Sequence, residues 1–384
     1  MSQFYAACPP GLEELVAQEL RSLGCAGLSP RTGDRDSDSE GGGVSVEGDL
    51  ETLYRLNLHL RTASRVLARL GEFYAASFAE LHQQSSRLEW ERYLNPGGAV
   101  RLNVTCHKSR LYHSEAVAER VLKGIAQRLG KTSPALRANE QPEARAQLVI
   151  VRLVKDRCTI SVDASGELLH RRGYRLAGAK APLRENLAAA LLLACGWETG
   201  APLLDPFCGS GTIAIEAALL AGGIPPGRNR RFAFMDWRDY DAALWERVRQ
   251  SSLDEHTPVT ARIQASDRDA GAVQTARENA RRAGVLDVIE FSQRALSAVE
   301  PPAGPGWVVT NPPFGVRVSQ RKDLRNLYAQ LGNVLRRRCP GWQAAVLGND
   351  PRLFSQIGFP LKTALATQSG GLNVQLRIGK APEA

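Results

Sequence analysis

The chain has 384 residues, a hydrophobic fraction of 43% and a net charge of +9, which is too long for one ordinary domain and apolar enough for more than one core. No apolar run reaches the roughly 18 residues of a membrane span, and "MSQFYAACPPGLEELVAQEL" lacks a basic segment leading into an apolar one, so a cytoplasmic protein is expected. The seven cysteines form no CxxC pair, which supports neither a zinc site nor a disulfide framework, and most should be buried thiols.

Charge is unevenly spread. Residues 1–60 carry 4 basic and 10 acidic side chains, net −6; residues 61–180 carry 21 and 11, net +10; residues 181–384 carry 24 and 19, net +5. A positive excess concentrated in the middle fits a polyanion partner, most simply nucleic acid, although an arginine-rich composition without a binding role would give the same count.

In chain order, residues 1–60 read as a small α/β unit. "GLEELVAQELRSLG" places Leu12, Leu15, Val16, Leu20 and Leu23 at helical spacing and closes on Gly24. "GDRDSDSEGGG" (33–43) is an acidic Gly/Ser loop tip, expected to be exposed and mobile. "GVSVEG" alternates as a strand does, and Asp49 is placed to cap the helix of "DLETLYRLNLHL".

Residues 61–165 continue as mixed α/β. The expected elements are a strand in "ASRVLARLGEFYA", a helix over "FAELHQQSSRLEWERYL", a strand with a basic loop in "AVRLNVTCHKSRLY" and a helix after a Ser114 cap. Two strands joined at "KDR" follow. Residues 166–182, "GELLHRRGYRLAGAKAP", read as a polar, basic connector. From Leu183 onward, long helices alternate with short apolar strands, which predicts a doubly wound parallel sheet with ligands beyond its strand ends.

Three motifs fall at those strand ends. In "DPFCGSGTIAIEAA" the strand stops at Asp205; Gly209 and Gly211 allow a tight turn and close approach to a ligand, and Thr212 opens a helix. No lysine follows the glycines and the GxGxxG spacing is absent, so neither ATP nor NAD is indicated. A purely structural turn would read the same way. In "ASDRD", Asp267 ends the next strand where a carboxylate can reach ribose hydroxyls, or it caps the following helix. In "VVTNPPFG", Asn311 offers a side-chain carbonyl, Pro312 a backbone carbonyl and Phe314 a flat face. Pro312 and Pro313 fix the chain direction. Such a corner can grip an aromatic amine, or be a proline turn.

Together, "DPFCGSGT", "SDRD" and "TNPPFG" resemble class I S-adenosylmethionine-dependent methyltransferases acting on exocyclic amines. "LHRRGYR", "APLRENLAAALLLACGW" and "GRNRRFAFMDW…DYDAALW" are similar to the THUMP-containing guanine-N2 RNA methyltransferases, the 23S rRNA (RlmL) type and its tRNA relatives. The resemblance implies a ferredoxin-like region at 1–60, a THUMP RNA-binding region at 61–165, a linker at 166–182 and a Rossmann-like methyltransferase domain at 183–384. It implies S-adenosylmethionine as cofactor, with Leu183, Arg184, Asp205, Phe207, Gly209, Gly211, Thr212, Asp267 and Arg268 around it. Asn311, Pro312, Pro313 and Phe314 would then hold the target base.

RNA is the implied partner, and Lys108, Arg110, Arg171 and Arg172 are candidate contacts. A monomer without metal or membrane attachment is expected. Two departures from the family pattern stand out: Ala295 occupies the place where relatives carry an acidic residue for the adenine amine, and Phe314 stands where tyrosine is common. Guanine N2 in 23S rRNA is the leading target, with tRNA guanine, adenine N6 in DNA or RNA, and a non-catalytic RNA-binding role as alternatives.

Overall fold

The computed structural model describes residues 2–31, 42–134, 146–175, 183–314 and 321–383. The acidic loop tip at 33–41 and the second half of the connector, 176–182, lie outside them. The chain divides into two units, one of Met1–Leu169 with Arg230–Gln250 and one of His170–Asn229 with Ser251–Ala384.

The first unit begins β1 (Ser2–Ala7), α1 (Glu13–Ser22), β2 (Ser29–Arg31), β3 (Gly43–Gly48), α2 (Leu50–His59) and β4 (Arg65–Tyr74). Helix α1 buries Leu15, Val16 and Leu20 and gives way to Gly24 at φ +77°, a conformation a side chain would strain. Asp49 caps α2 as expected, its Oδ1 accepting the Thr52 N–H at 2.9 Å. Next come α3 (Phe78–Ser86), β5 (Val100–His107), α4 (Ser114–Leu129), β6 (Gln147–Val154) and β7 (Arg157–Asp163).

Two local expectations change here. The helix over 78–94 stops at Ser86, because buried Trp90 folds back and donates its Nε1–H to the Ser85 carbonyl at 2.7 Å. Ser114 is the first helical residue rather than the cap, a position held by His113.

The seven strands form one sheet in the order β2-β3-β1-β4-β7-β6-β5. Ten-residue β4 makes this possible: it pairs with β1 through Phe4↔Ala68 and with β7 from Leu67↔Asp163 to Tyr74↔Arg157. The sheet therefore runs through the boundary expected at residue 60. Strands β6 and β7 close through the two-residue turn Lys155–Asp156, the joint read from "KDR".

The second unit contains α5 (Glu185–Cys195), β8 (Leu203–Asp205), α6 (Thr212–Ala221), β9 (Ile263–Asp267), α8 (Ala270–Ala283), β10 (Ile289–Gln293) and β11 (Trp307–Thr310). It closes with α9 (Arg321–Arg338), β12 (Gln343–Gly348), α10 (Pro351–Ser355), β13 (Lys362–Ser369) and β14 (Leu372–Lys380); α7 (Ala242–Asp254), which precedes β9 in the chain, belongs for most of its length to the first unit. Its sheet order is β10-β9-β8-β11-β12-β14-β13. The first five strands are parallel, as expected, while β14 and β13 return antiparallel at one edge. Helices α5 and α6 are buried on nearly every side, which explains why they read as continuous apolar runs. Strand order reverses between β8 and β11, and such switch points are where open α/β sheets take ligands. No helix among the described residues is long and apolar enough to cross a membrane.

The division between units is not a single cut. "RRFAFMDWRDYDAALW" packs with the first unit, not with the sheet that flanks it in sequence. Tyr54 of α2 stacks on Phe234 at 4.7 Å and meets Trp245 edge-on at 5.7 Å, and its hydroxyl accepts the Asp241 N–H at 2.9 Å. Trp237 lies edge-on to Tyr93 at 4.7 Å and donates to Gln147 Oε1 at 2.9 Å. Burial of these rings outweighs continuity of the chain.

Candidate active site

The site grows from the ends of β8, β9 and β11. After Asp205 the chain turns through Gly209 and Gly211, at φ +50° and +83°. The two glycines serve different needs. A Cβ on Gly211 would lie 2.9 Å from that of Ala276, so its bareness lets α8 approach the loop, whereas a Cβ on Gly209 would meet nothing within 4 Å. Of the pair read as approaching a ligand, Gly209 is the one facing open space. Thr212 then starts α6 and is buried.

Two hydrogen bonds join the three sequence motifs. Thr310 Oγ1, the last residue of β11, donates to Asp205 Oδ1 at 2.7 Å, and the Gly209 N–H donates to Asp267 Oδ2 at 3.0 Å. Asp267 does not cap α8; Asp269 does, accepting from Gly271 N at 2.8 Å and Ala272 N at 3.3 Å. Arg268 and Ala295 are exposed beside that strand end. At the third motif, Pro312 is buried, Pro313 exposed and Phe314 half-buried. The Asn311 side-chain oxygen is buried and accepts no hydrogen bond among the described residues. A buried amide oxygen without a donor is unfavourable, and its natural complement is an N–H from a ligand.

Burial pushes the Asp205 carboxyl up to about 7, and the charge of Asp267 adds to this against the hydrogen bonds from Thr310 and Phe207. An aspartate in the unfolded chain titrates near about 3.9. The folded protein thus holds the proton more tightly, and the associated stability is complete below about pH 4 and lost as pH rises through about 7. Asp205→Asn is expected to remove this loss. Thermal denaturation from pH 4 to 8 should show the variant gaining on the parent as pH rises, and parallel curves would contradict it. Cys208, between Asp205 and the glycines, is buried, and its thiol is pushed far up by desolvation, which leaves it inert.

The connector is more than a polar link. Arg172, read as an RNA contact, is buried with its side chain 2% exposed, and its Nε lies 3.6 Å from Oε1 of wholly buried Glu216 on α6. It is therefore a core residue, and that assignment is corrected: a guanidinium enclosed beside a carboxylate is closed to phosphate. Tyr174 donates to the same Glu216 oxygen at 3.0 Å. Arg175 donates to the Leu183 carbonyl at 3.0 Å and to Thr212 Oγ1, and lies 3.6 Å from Glu185. Asn279 holds the Gly loop from the other side, donating to the Ser210 carbonyl at 3.0 Å. Arg184 is exposed at the start of α5. Lys108 and Arg110 in the first unit, and Arg171 in the second, are exposed.

Thr310, Arg175, Glu216 and Asn279 were not read as site residues from sequence. A glutamate inside the apolar run "TIAIEAALLA" was the available signal, since a charge there needs a buried partner.

The fit to S-adenosylmethionine rests on this geometry: a carboxylate at the end of β9, open space at Gly209, and an Asn311 oxygen with no donor among the described residues. Family models match along the chain: the RlmL ferredoxin-like domain over residues 3–67, the THUMP domain over 75–163, and the RMKL-like methyltransferase domain over 172–359. The ribosomal RNA large subunit methyltransferase K/L of Syntrophotalea carbinolica is 37% identical over 97% of this chain and 53% of its own length. The chain spans about half the length of the K/L proteins it matches. A candidate RNA methyltransferase of Synechocystis sp., slr0064, is 34% identical over 96% of this chain and 94% of its own. The crystal structure of SMU.472, a candidate methyltransferase complexed with SAH, superposes with a TM-score of 0.86 at 31% identity, covering 100% of this chain and 99% of that one. With its ferredoxin-like, THUMP and methyltransferase regions in that order, the chain belongs to the RlmL-type family of methyltransferases.

Proposed function

We propose that the protein transfers a methyl group from S-adenosylmethionine to the exocyclic N2 amine of a guanosine in large-subunit ribosomal RNA. The observation that carries this reading is the Asn311 side-chain oxygen, buried at the end of β11 and without a donor among the described residues, one residue before a proline whose carbonyl is its only backbone hydrogen-bonding group. When bound, the cofactor supplies an electrophilic methyl group on a sulfonium.

Asp267 would hold the ribose hydroxyls, with Arg268 beside the adenosine. Asp205, Phe207, Gly209, Gly211 and Thr212 would surround the methionine portion, and Leu183 and Arg184 would close the pocket. Asn311 and the Pro312 carbonyl would accept the two N–H bonds of the amine, Pro313 would keep the corner rigid, and Phe314 would stack on the ring. An extruded base is required, because the amine is out of reach within a helix. Positioning then carries most of the rate, and the proton can leave to water after transfer.

Large-subunit RNA is favoured by the names of the K/L relatives, and guanine by the resemblance of the connector and insert. The test is incubation of the full chain with methyl-labelled cofactor and either ribosomal RNA, tRNA or DNA, followed by nucleoside analysis. N2-methylguanosine in large-subunit RNA is expected. Label appearing only as N6-methyladenosine, or only in tRNA, would replace the assignment of base or substrate.

A further inference from the structure

Four side chains of the second unit close a ring of hydrogen bonds around the Gly loop. Arg282 of α8 donates to the Tyr174 carbonyl at 2.8 Å and to Asn279 Oδ1 at 2.6 Å. Asn279 donates to the Ser210 carbonyl at 3.0 Å. Two residues further on, Thr212 Oγ1 accepts from Nη2 of Arg175, the chain neighbour of Tyr174. The same nitrogen donates to the Leu183 carbonyl at 3.0 Å. The ring thus runs from the connector through α8 to the loop and back to the connector.

Asn279 and Arg282 act on backbone and fix where the loop lies. Arg175 also decides how the Thr212 hydroxyl points. A guanidinium can only donate, so Oγ1 accepts from it and the hydroxyl proton must turn elsewhere. Among the described residues the only acceptor it meets is Ser210 Oγ at 3.4 Å, against about 2.7–2.8 Å for a good O–H···O bond. Thr212 is 4% exposed, and a buried donor left this poorly matched is unfavourable. Beside it α6 begins without a side-chain cap, which leaves its first N–H groups open, and Gly209 faces open space. Donors therefore converge on the loop, and their complement is an anionic acceptor. The Arg175 charge is itself matched by Glu185 at 3.6 Å, so it reaches that acceptor through Thr212.

We propose that Arg175 is a positioning residue for the cofactor, one that makes the Thr212 hydroxyl a fixed donor to the carboxylate of the methionine portion. The proposal rests on the placement of that portion at the Gly loop under the proposed function. It adds which group of the cofactor Thr212 holds and which residue aims it.

The test is calorimetry on the full chain with two ligands: S-adenosylhomocysteine, and methylthioadenosine, which keeps the adenosine and the sulfur but has no carboxylate. Arg175→Gln and Thr212→Val should each weaken S-adenosylhomocysteine by about 10- to 100-fold, as expected of one lost hydrogen bond to a charged group, and leave methylthioadenosine at parental affinity. The double variant should lose no more than either single one, because both changes remove the same bond. Thr212→Ser keeps the hydroxyl and should bind as the parent does. An equal loss for both ligands would overturn the proposal by making Arg175 a general support of the fold, and additive losses would overturn it by separating Arg175 from Thr212. Should Arg175→Gln fail to fold, the isosteric Thr212→Val decides. If the parent binds S-adenosylhomocysteine and Thr212→Val binds it equally well, this role alone is refuted. A parent that binds neither ligand would refute the proposed function as well.

Discussion

Asn311→Ala is expected to lower the rate of methyl transfer by about 10²–10³-fold or more while S-adenosylhomocysteine still binds with near-parental affinity. The split follows from where the side chain sits. Its oxygen is a buried acceptor left without a donor among the described residues, whereas the residues proposed to hold the cofactor belong to the β8 and β9 ends and to the segment before α5. Without that oxygen the amine keeps only the Pro312 carbonyl and loses its fixed direction. Single-turnover kinetics and calorimetry on the same preparation separate the two quantities. An alanine variant that transfers methyl at the parental rate would remove Asn311 from the chemistry and with it the main support for the proposed function.

Arg172→Ala should act through stability. The side chains of Arg172 and Glu216 are 2% and 0% exposed, and removing one member of such a buried pair costs about 3–5 kcal/mol, because the other charge stays buried without its partner. At about 2–4 °C per kcal/mol for a unit of this size, the melting temperature should fall by roughly 10 °C. RNA affinity per folded molecule should not change. The distinction is measurable below the transition: a folded Arg172→Ala protein with parental RNA affinity supports the structural role. An unchanged melting temperature with weakened RNA binding would restore the surface role expected from sequence.

The arginine illustrates what limits reading by composition. In "LHRRGYR" the three arginines look alike, yet Arg171 is exposed, Arg172 is enclosed beside Glu216 and Arg175 ties Leu183 to Thr212. Their environments are set by α5 and α6, which lie further along the chain. Asp267 and Asp269 are similarly ambiguous in "SDRD": either can cap a helix, and only the backbone direction at the end of β9 gives the cap to Asp269. The motif glycines show the same divide. Their need for positive φ was legible, but the use of Gly211 for contact with Ala276 was not, because Ala276 is 65 residues away in sequence.

Local pattern alone determined the elements and their class: the α1 stripe, the Asp49 cap, the β6–β7 joint at "KDR", and the alternation that gives a parallel sheet after Leu183. These features depend on interactions between residues within a few positions of one another, so spacing records them. Tertiary structure decided the rest. It carried one sheet through β4 past the expected boundary, sent the aromatic segment after Arg230 to pack around Tyr54, and buried Arg172. It also tied Thr310 to Asp205 and left the Asn311 oxygen without a donor among the described residues. Each of these outcomes is set by burial and by pairing between groups tens to hundreds of residues apart, and no local spacing encodes which distant group will arrive.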